Sequence, residues 1–144
     1  MKKVLYILGF LSDSDIDWLA NRGKKTFYAK GDHICLEGSN LKEFHIIING
    51  QANVIIGNSI VGIIGKGDII GEITLIDRKP SSATLKVVED SNTLSIPINV
   101  IRDKINRDES FSLRFHKAVA TFLAMRLQKT NLFISHGDGV KYDS

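Results

Sequence analysis

The stretch Phe44-His45-Ile46-Ile47-Ile48-Asn49-Gly50-Gln51-Ala52-Asn53-Val54-Ile55-Ile56 decides the fold class of this chain. Two runs rich in β-branched and aromatic side chains flank Asn49-Gly50, a dipeptide that readily takes two successive positive φ angles. The pattern predicts a hairpin joining strands 44–48 and 52–56. The same texture extends outward from Lys24 to about Pro97. Thr26-Phe27-Tyr28 and His33-Ile34-Cys35-Leu36 read as further strands, with Lys30-Gly31-Asp32, Gly57-Asn58 and Lys66-Gly67-Asp68 at the joints. Short strands so divided imply a sandwich or barrel.

Helical patterns lie on both sides of this β region. Asp13 to Asn21 reads as a short helix, with Ser12 or Asp13 able to cap its amides, Ile16, Leu19 and Ala20 on its apolar face and Gly23 at its end. Beyond Pro97, Val100, Ile101 and Ile105 mark one helical face. From about Ser110 to Leu132, Leu113, Ala120, Leu123 and Leu127 recur at helical steps and predict a long amphipathic helix. Such a stripe can pack on the β region or pair with its twin. The order helix, strands, helix, long helix is α+β and mainly β, without the alternation that builds a doubly wound sheet. A single domain over residues 1–135 is expected, and the glycine-containing tail 136–144 is expected to be loose.

Composition narrows the classes of function. Among 144 residues, 43% hydrophobic and 24% charged with two prolines can bury a core, which excludes wholesale disorder. Nineteen basic against sixteen acidic residues give +3, and the basic residues are scattered in pairs rather than aligned as a nucleic-acid stripe. Cys35 has no intrachain disulfide partner, which fits a reducing cytosol. Lys2-Lys3 ahead of the apolar run Val4 to Leu11 imitate a secretion signal. The Ser12-Asp13-Ser14-Asp15 that follows holds no small-residue cleavage pattern, and the run is too short for a bilayer, so a packed N-terminal segment is expected. His33, His45, His116 and His136 lack metal-ligand spacing, and no nucleophile elbow, Walker loop or Rossmann glycine pattern is present. No metal site and no enzymatic activity are expected.

The segment from Gly65 to Thr84, GKGDIIGEITLIDRKPSSAT, concentrates the chemistry. A strand ending at Ile70 meets Gly71, where backbone can approach a ligand closely, and then a short helical turn with free amides. Glu72 at that turn suits a ligand with both hydroxyl donors and an anion, as in a sugar phosphate. It would serve equally as a helix-start charge or a partner for Arg78.

With Glu37-Gly38, Ile47-Ile48-Asn49-Gly50-Gln51-Ala52, Pro80-Ser81-Ser82-Ala83-Thr84 and Arg126-Leu127-Gln128-Lys129-Thr130-Asn131, these motifs resemble the cyclic-nucleotide-binding domain family. The likeness is to the effector domain of bacterial catabolite-activator-type regulators. It implies an eight-stranded double-sheet β-roll, or jelly roll, with a glycine–glutamate phosphate cassette. It also implies cyclic AMP or cyclic GMP as possible ligand. The contact set it implies is Gly71, Glu72, Ile73, Ser81, Ser82 and Thr84 from the cassette, with Thr130 and Asn131 from the last helix.

It further implies a homodimer paired through that helix. The regulators' DNA-binding module would lie beyond the helix, so no DNA-binding domain is expected in this chain. One departure stands out: Ser81 occupies the place of the family's phosphate-binding arginine. A lost charge-assisted hydrogen bond costs roughly 1.5–3 kcal/mol, and Arg78 or Lys79 could substitute only in part. The expected function is a sensor that binds a cyclic nucleotide weakly or with altered specificity. The alternative is a degenerate pocket on a module for oligomerisation or protein docking.

Overall fold

A computed structural model describes Leu5 and residues 9–136, with side chains through residue 128. The elements are α1 (Asp13–Arg22), β1 (Lys24–Tyr28), β2 (His33–Cys35), β3 (Glu43–Ile56), β4 (Ser59–Gly65), β5 (Ile69–Ile70), α2 (Glu72–Asp77), β6 (Thr84–Pro97), α3 (Ile98–Arg107) and α4 (Glu109–His136). The mainly β architecture between flanking helices is the one expected. Half of the N-terminal run Val4 to Leu11, and the tail beyond His136, lie outside the described residues; Leu5 is fully buried in the core.

The hairpin expected at Asn49-Gly50 is not one. β3 runs straight through that dipeptide, and both of its halves pair antiparallel with β6, from Glu43↔Pro97 to Ile55↔Thr84. The register shifts around Asn49 and Gln51 because the strand bulges there. Gly50, at φ 103°, presses so closely on Ser91 that a Cβ would sit 2.7 Å from the Ser91 Cα. The turn is instead Gly57-Asn58, which closes β3 onto β4 with Ile56 opposite Ser59.

The bend divides the sheet. β1 and β5 join the half containing the start of β3 and the end of β6, whereas β2 and β4 join the other half. Each half therefore holds four strand segments, which matches the double-sheet roll.

Two apolar clusters fill the interior. One joins Phe44, Ile46, Leu94 and Ile96 of the roll to Ile16 and Leu19 of α1, Ile101 of α3 and Phe111 and Phe115 of α4. The other gathers Ile47, Ala52, Ile64, Ile70, Leu85 and Val87. α4 thus packs through Phe111, Phe115, Ala118 and Val119, while the stripe read from sequence points away: Leu113 and Leu127 are 67% and 61% exposed. Both stripes satisfy three- and four-residue steps, and the larger aromatic area won the core.

α1 is held at its start. Ser12 and Asp15 exchange capping hydrogen bonds of 3.1 and 2.9 Å. The buried Asp15 carboxylate also accepts a fork from Arg114 of α4 at 2.6 and 2.9 Å. Burial acts to raise the pKa of Asp15, but the Arg114 fork and Ser12 outweigh it and hold the carboxyl below its ordinary value.

Inside the roll His45 is 3% exposed, with Nδ1 2.9 Å from Ser95 Oγ and 3.3 Å from Thr93 Oγ1. Ser95 donates its own proton to Thr26 Oγ1 at 2.9 Å, so Nδ1–H is the donor toward Ser95. Burial among neutral groups drives the imidazole pKa from 6.5 to about 4. The unfolded chain then binds a proton that the folded chain refuses. Stability is complete above pH 6.5 and falls as the pH drops toward 4, by about 3 kcal/mol at 1.36 kcal/mol per unit. Denaturant unfolding at pH 4.5, 5.5 and 7 should show that slope in the wild type and a flatter one in His45→Gln; equal slopes would remove His45 as its source.

Candidate ligand-binding site

β5 pairs only Ile69 and Ile70 with β3 before the chain turns at Gly71. That turn requires glycine twice over. Its φ is 98°, a left-handed value, and a Cβ would come within 3.1 Å of the Glu43 carbonyl oxygen. Gly71 then caps α2, and Glu72 is the first helical residue. At the far end Arg78 adopts φ 56° and donates its amide to Thr74 O at 3.1 Å. Thr74 Oγ1 donates to Lys79 O at 2.7 Å, which closes the α2 turn onto the segment leading to Ser81.

Gly71, Glu72, Ile73, Ser81 and Ser82 all line one cleft, together with Phe122 and Arg126 of α4. Its apolar walls come from Leu41, Val54, Ile64 and Leu85. Ser81 is held by its backbone, its N–H donating to Ser39 O and its C=O accepting from Gly38 N, each at 2.8 Å. Its hydroxyl donates to Ala83 O at 2.7 Å and lies 3.5 Å from Cys35 Sγ. The hydroxyl is thus engaged by the protein itself. Burial pushes the Cys35 thiol up, against the opposing effect of Ser81.

Thr84 does not line the cleft. Side chains alternate along β6, so Ala83 and Leu85 face the cleft and Thr84 faces away. Its Oγ1 accepts the Glu37 amide at 2.9 Å, which ties the chain just after β2 to the start of β6 instead. Arg78 and Lys79 are exposed and are not in the cleft wall; Lys79 pairs with Asp77 at 3.2 Å. The side chains of Thr130 and Asn131 lie outside the described residues.

Among the described residues, the cation in the cleft wall is Arg126, which the sequence reading did not single out as a contact. It ion-pairs with Asp68 at 3.4 Å and lies over the Phe122 ring at 5.7 Å. Asp68 Oδ2 is itself held by the Gly65 amide at 2.8 Å. Glu72 is half-buried: desolvation raises its pKa, while its own amide, Arg126 and the Gly71 amide act in the opposite direction. The cleft therefore offers one carboxylate acceptor, one guanidinium and a serine-lined strand start against apolar walls. This donor set suits a small polar anion that carries hydroxyls and an apolar face.

The chain is similar to known proteins in sequence and in fold. The model of the cyclic nucleotide-binding domain matches residues 25–108. The chain is 34% identical over 83 residues to a cGMP-dependent protein kinase of Plasmodium berghei, covering 58% of this chain and 10% of the kinase. It is 31% identical over 88 residues to the cAMP-dependent protein kinase regulatory subunit of Debaryomyces hansenii, covering 60% of this chain and 20% of the subunit.

The fold matches a cyclic nucleotide-binding domain from Methylobacillus flagellatus with a TM-score of 0.78 at 18% identity, covering 90% of this chain and 80% of that one. It matches the catabolite activator protein of Thermus thermophilus with a TM-score of 0.69 at 20% identity, covering 90% and 61%. With the family model spanning more than half of its length and the glycine–glutamate turn set at the cleft, this chain belongs to the cyclic nucleotide-binding domain family.

Proposed function

We propose that this domain is a non-enzymatic sensor that binds cyclic AMP or cyclic GMP weakly and reports occupancy through α4. The observation that carries the reading is the convergence of Glu72, Ser81, Ser82 and Arg126 around the Gly71 turn. Glu72 accepts from a ribose hydroxyl, and Arg126 supplies positive charge that Ser81 cannot. The kinship to a cGMP-dependent protein kinase and to a cAMP-dependent protein kinase regulatory subunit supports the ligand class. Affinity is low because the cassette side meets the phosphate with hydroxyls, one of them already given to Ala83 O.

The signalling part of the reading follows from Phe122 and Arg126 belonging to the same helix as the core residues Phe111 and Phe115. Ligand contact and helix position are therefore coupled in principle. We further propose a homodimer through α4, supported by Leu113, Met125 and Leu127, which are 67%, 61% and 61% exposed. A cytosolic setting is supported by the unpaired, buried Cys35; no described helix is long and apolar enough to cross a membrane. The second reading, a docking module with a pocket that has lost its ligand, is favoured by the internal engagement of Ser81.

Calorimetric titration with cyclic AMP and cyclic GMP into the millimolar range decides between the two readings. Saturable binding by either supports the sensor, and silence for both supports the docking module. Binding should weaken as the pH falls, starting above the ordinary carboxylate range, because the raised pKa of Glu72 removes its acceptor form early. Glu72→Gln should bind more weakly with a flattened acid limb; an unchanged profile would take the ribose role from Glu72.

Ser81→Arg should gain about tenfold or more in affinity, the value of a charge-assisted bond. No gain would show that the phosphate does not sit there. In sedimentation velocity the wild type should run as a dimer and Leu127→Glu as a monomer; two identical monomeric profiles would dismiss the α4 interface.

A further inference from the structure

α2 is only six residues long, and its two ends meet different partners. At its start Glu72 faces the cleft. Near its end the Thr74 and Leu75 carbonyls accept from the guanidinium of Arg102, through Nη2 to Thr74 O and through Nε at 3.3 Å to Leu75 O. Arg102 belongs to α3, not to the cassette. Its positive fork sits on the carbonyl end of α2, where the aligned peptide dipoles favour a cation.

α3 in turn is fixed to the start of α4. Lys104 pairs with Asp108 at 3.0 Å, and Asp108 Oδ1 accepts the Phe111 amide at 3.0 Å, capping α4. Lys104 Nζ also lies 5.3 Å from the centroid of Trp18 on α1, and Trp18 packs on Phe111 of α4 at 5.6 Å. Buried Ile101 shares the core with Phe111 and Phe115.

We infer that Arg102 is the positioning residue that carries occupancy at Glu72 from α2 into α3 and the α1–α4 junction. The inference rests on the reading of the cleft as a cyclic nucleotide site. A ligand that draws Glu72 moves a helix of about one and a half turns as a unit. The two hydrogen bonds of a planar guanidinium pass both the translation and the rotation of that helix to α3. A lysine ammonium in the same place would keep the charge but not the fork. Trp18 is the chain's single tryptophan, and it touches both α3 and α4. Its fluorescence therefore reads the junction directly.

The test is made on the full chain with cyclic AMP and cyclic GMP, following heat and Trp18 emission in parallel for wild type, Arg102→Gln and Arg102→Lys. Circular dichroism confirms that each variant is folded, and Arg102→Lys serves if Arg102→Gln is not. In the wild type, heat and emission should saturate together. Arg102→Gln should bind within about threefold of wild type yet lose at least about half of the emission change, with Arg102→Lys restoring part of it.

Full emission amplitude in both variants overturns the role of Arg102 and leaves the binding reading intact. Heat without any emission change in the wild type overturns transmission to the Trp18 junction while binding stands. A loss of heat in Arg102→Gln as large as in Glu72→Gln overturns the positioning role, because Arg102 would then serve the site itself. No heat in the wild type overturns the cleft reading, and the relay with it.

Discussion

β3 and β6 run antiparallel from Glu43↔Pro97 to Ile55↔Thr84, and β1, β2, β4 and β5 each attach to one or the other. Their register fixes the interior, because side chains alternate and a slip of one residue would turn every buried group outward. Phe44, Ile46, Leu94 and Ile96, all 0% exposed, would reach solvent together. The same pairing shapes the cleft. Val54 and Leu85 are partners in the ladder and form its walls, while Glu43 and Phe44 crowd the Gly71 turn at its mouth. Core and cleft therefore share one determinant.

That frame also explains why the bend falls at Gly50. Two strands of fourteen residues cannot stay flat against a second layer, and a bulge raises local twist at the cost of ladder bonds. At Gly50 the close approach is to Ser91, 41 positions further along the chain. Local chemistry reports a positive φ at Gly50 but also expects one at Asn49, which the strand does not take; whether the chain reverses or merely bulges depends on what lies opposite.

Legibility divides along the same line. The capped α1, the joints at Gly31, Gly57 and Gly67, the cassette turn at Gly71 and Glu72 and the double-sheet class were readable, because each is set by local conformational preference or by a short motif. Besides the bulge at Gly50, three features were not. One is the core face of α4, Phe111, Phe115, Ala118 and Val119: the sequence leaves the stripe Leu113, Ala120, Leu123 and Leu127 free to pack on the roll or to pair with a twin, and periodicity alone does not say which of two overlapping stripes meets the roll. The motif groups Thr84 with Ser81 and Ser82, whereas β alternation turns it to the Glu37 amide. The place of Arg126 in the cleft is not legible in its motif, because its nearness to Glu72 arises only when Phe115 and Phe122 seat α4 against the roll.

α4 meets the rest of the domain at two separate places. Its first turns are tied by the Arg114–Asp15 fork, by Phe111 against Trp18 of α1 at 5.6 Å and by Phe115 against Phe44 of β3 at 5.8 Å, none of which lines the cleft. Its turn at Phe122 and Arg126 forms part of the cleft wall, where Arg126 is held by Asp68 of the roll. An anion in the cleft would compete with Asp68 for the same guanidinium, so the charge that favours binding is also one that seats the helix. A ligand can move such an equilibrium only by the difference between its contacts in the two arrangements. One that touched the roll alone would have equal affinity for every position of α4 and, however tightly bound, would shift none of them.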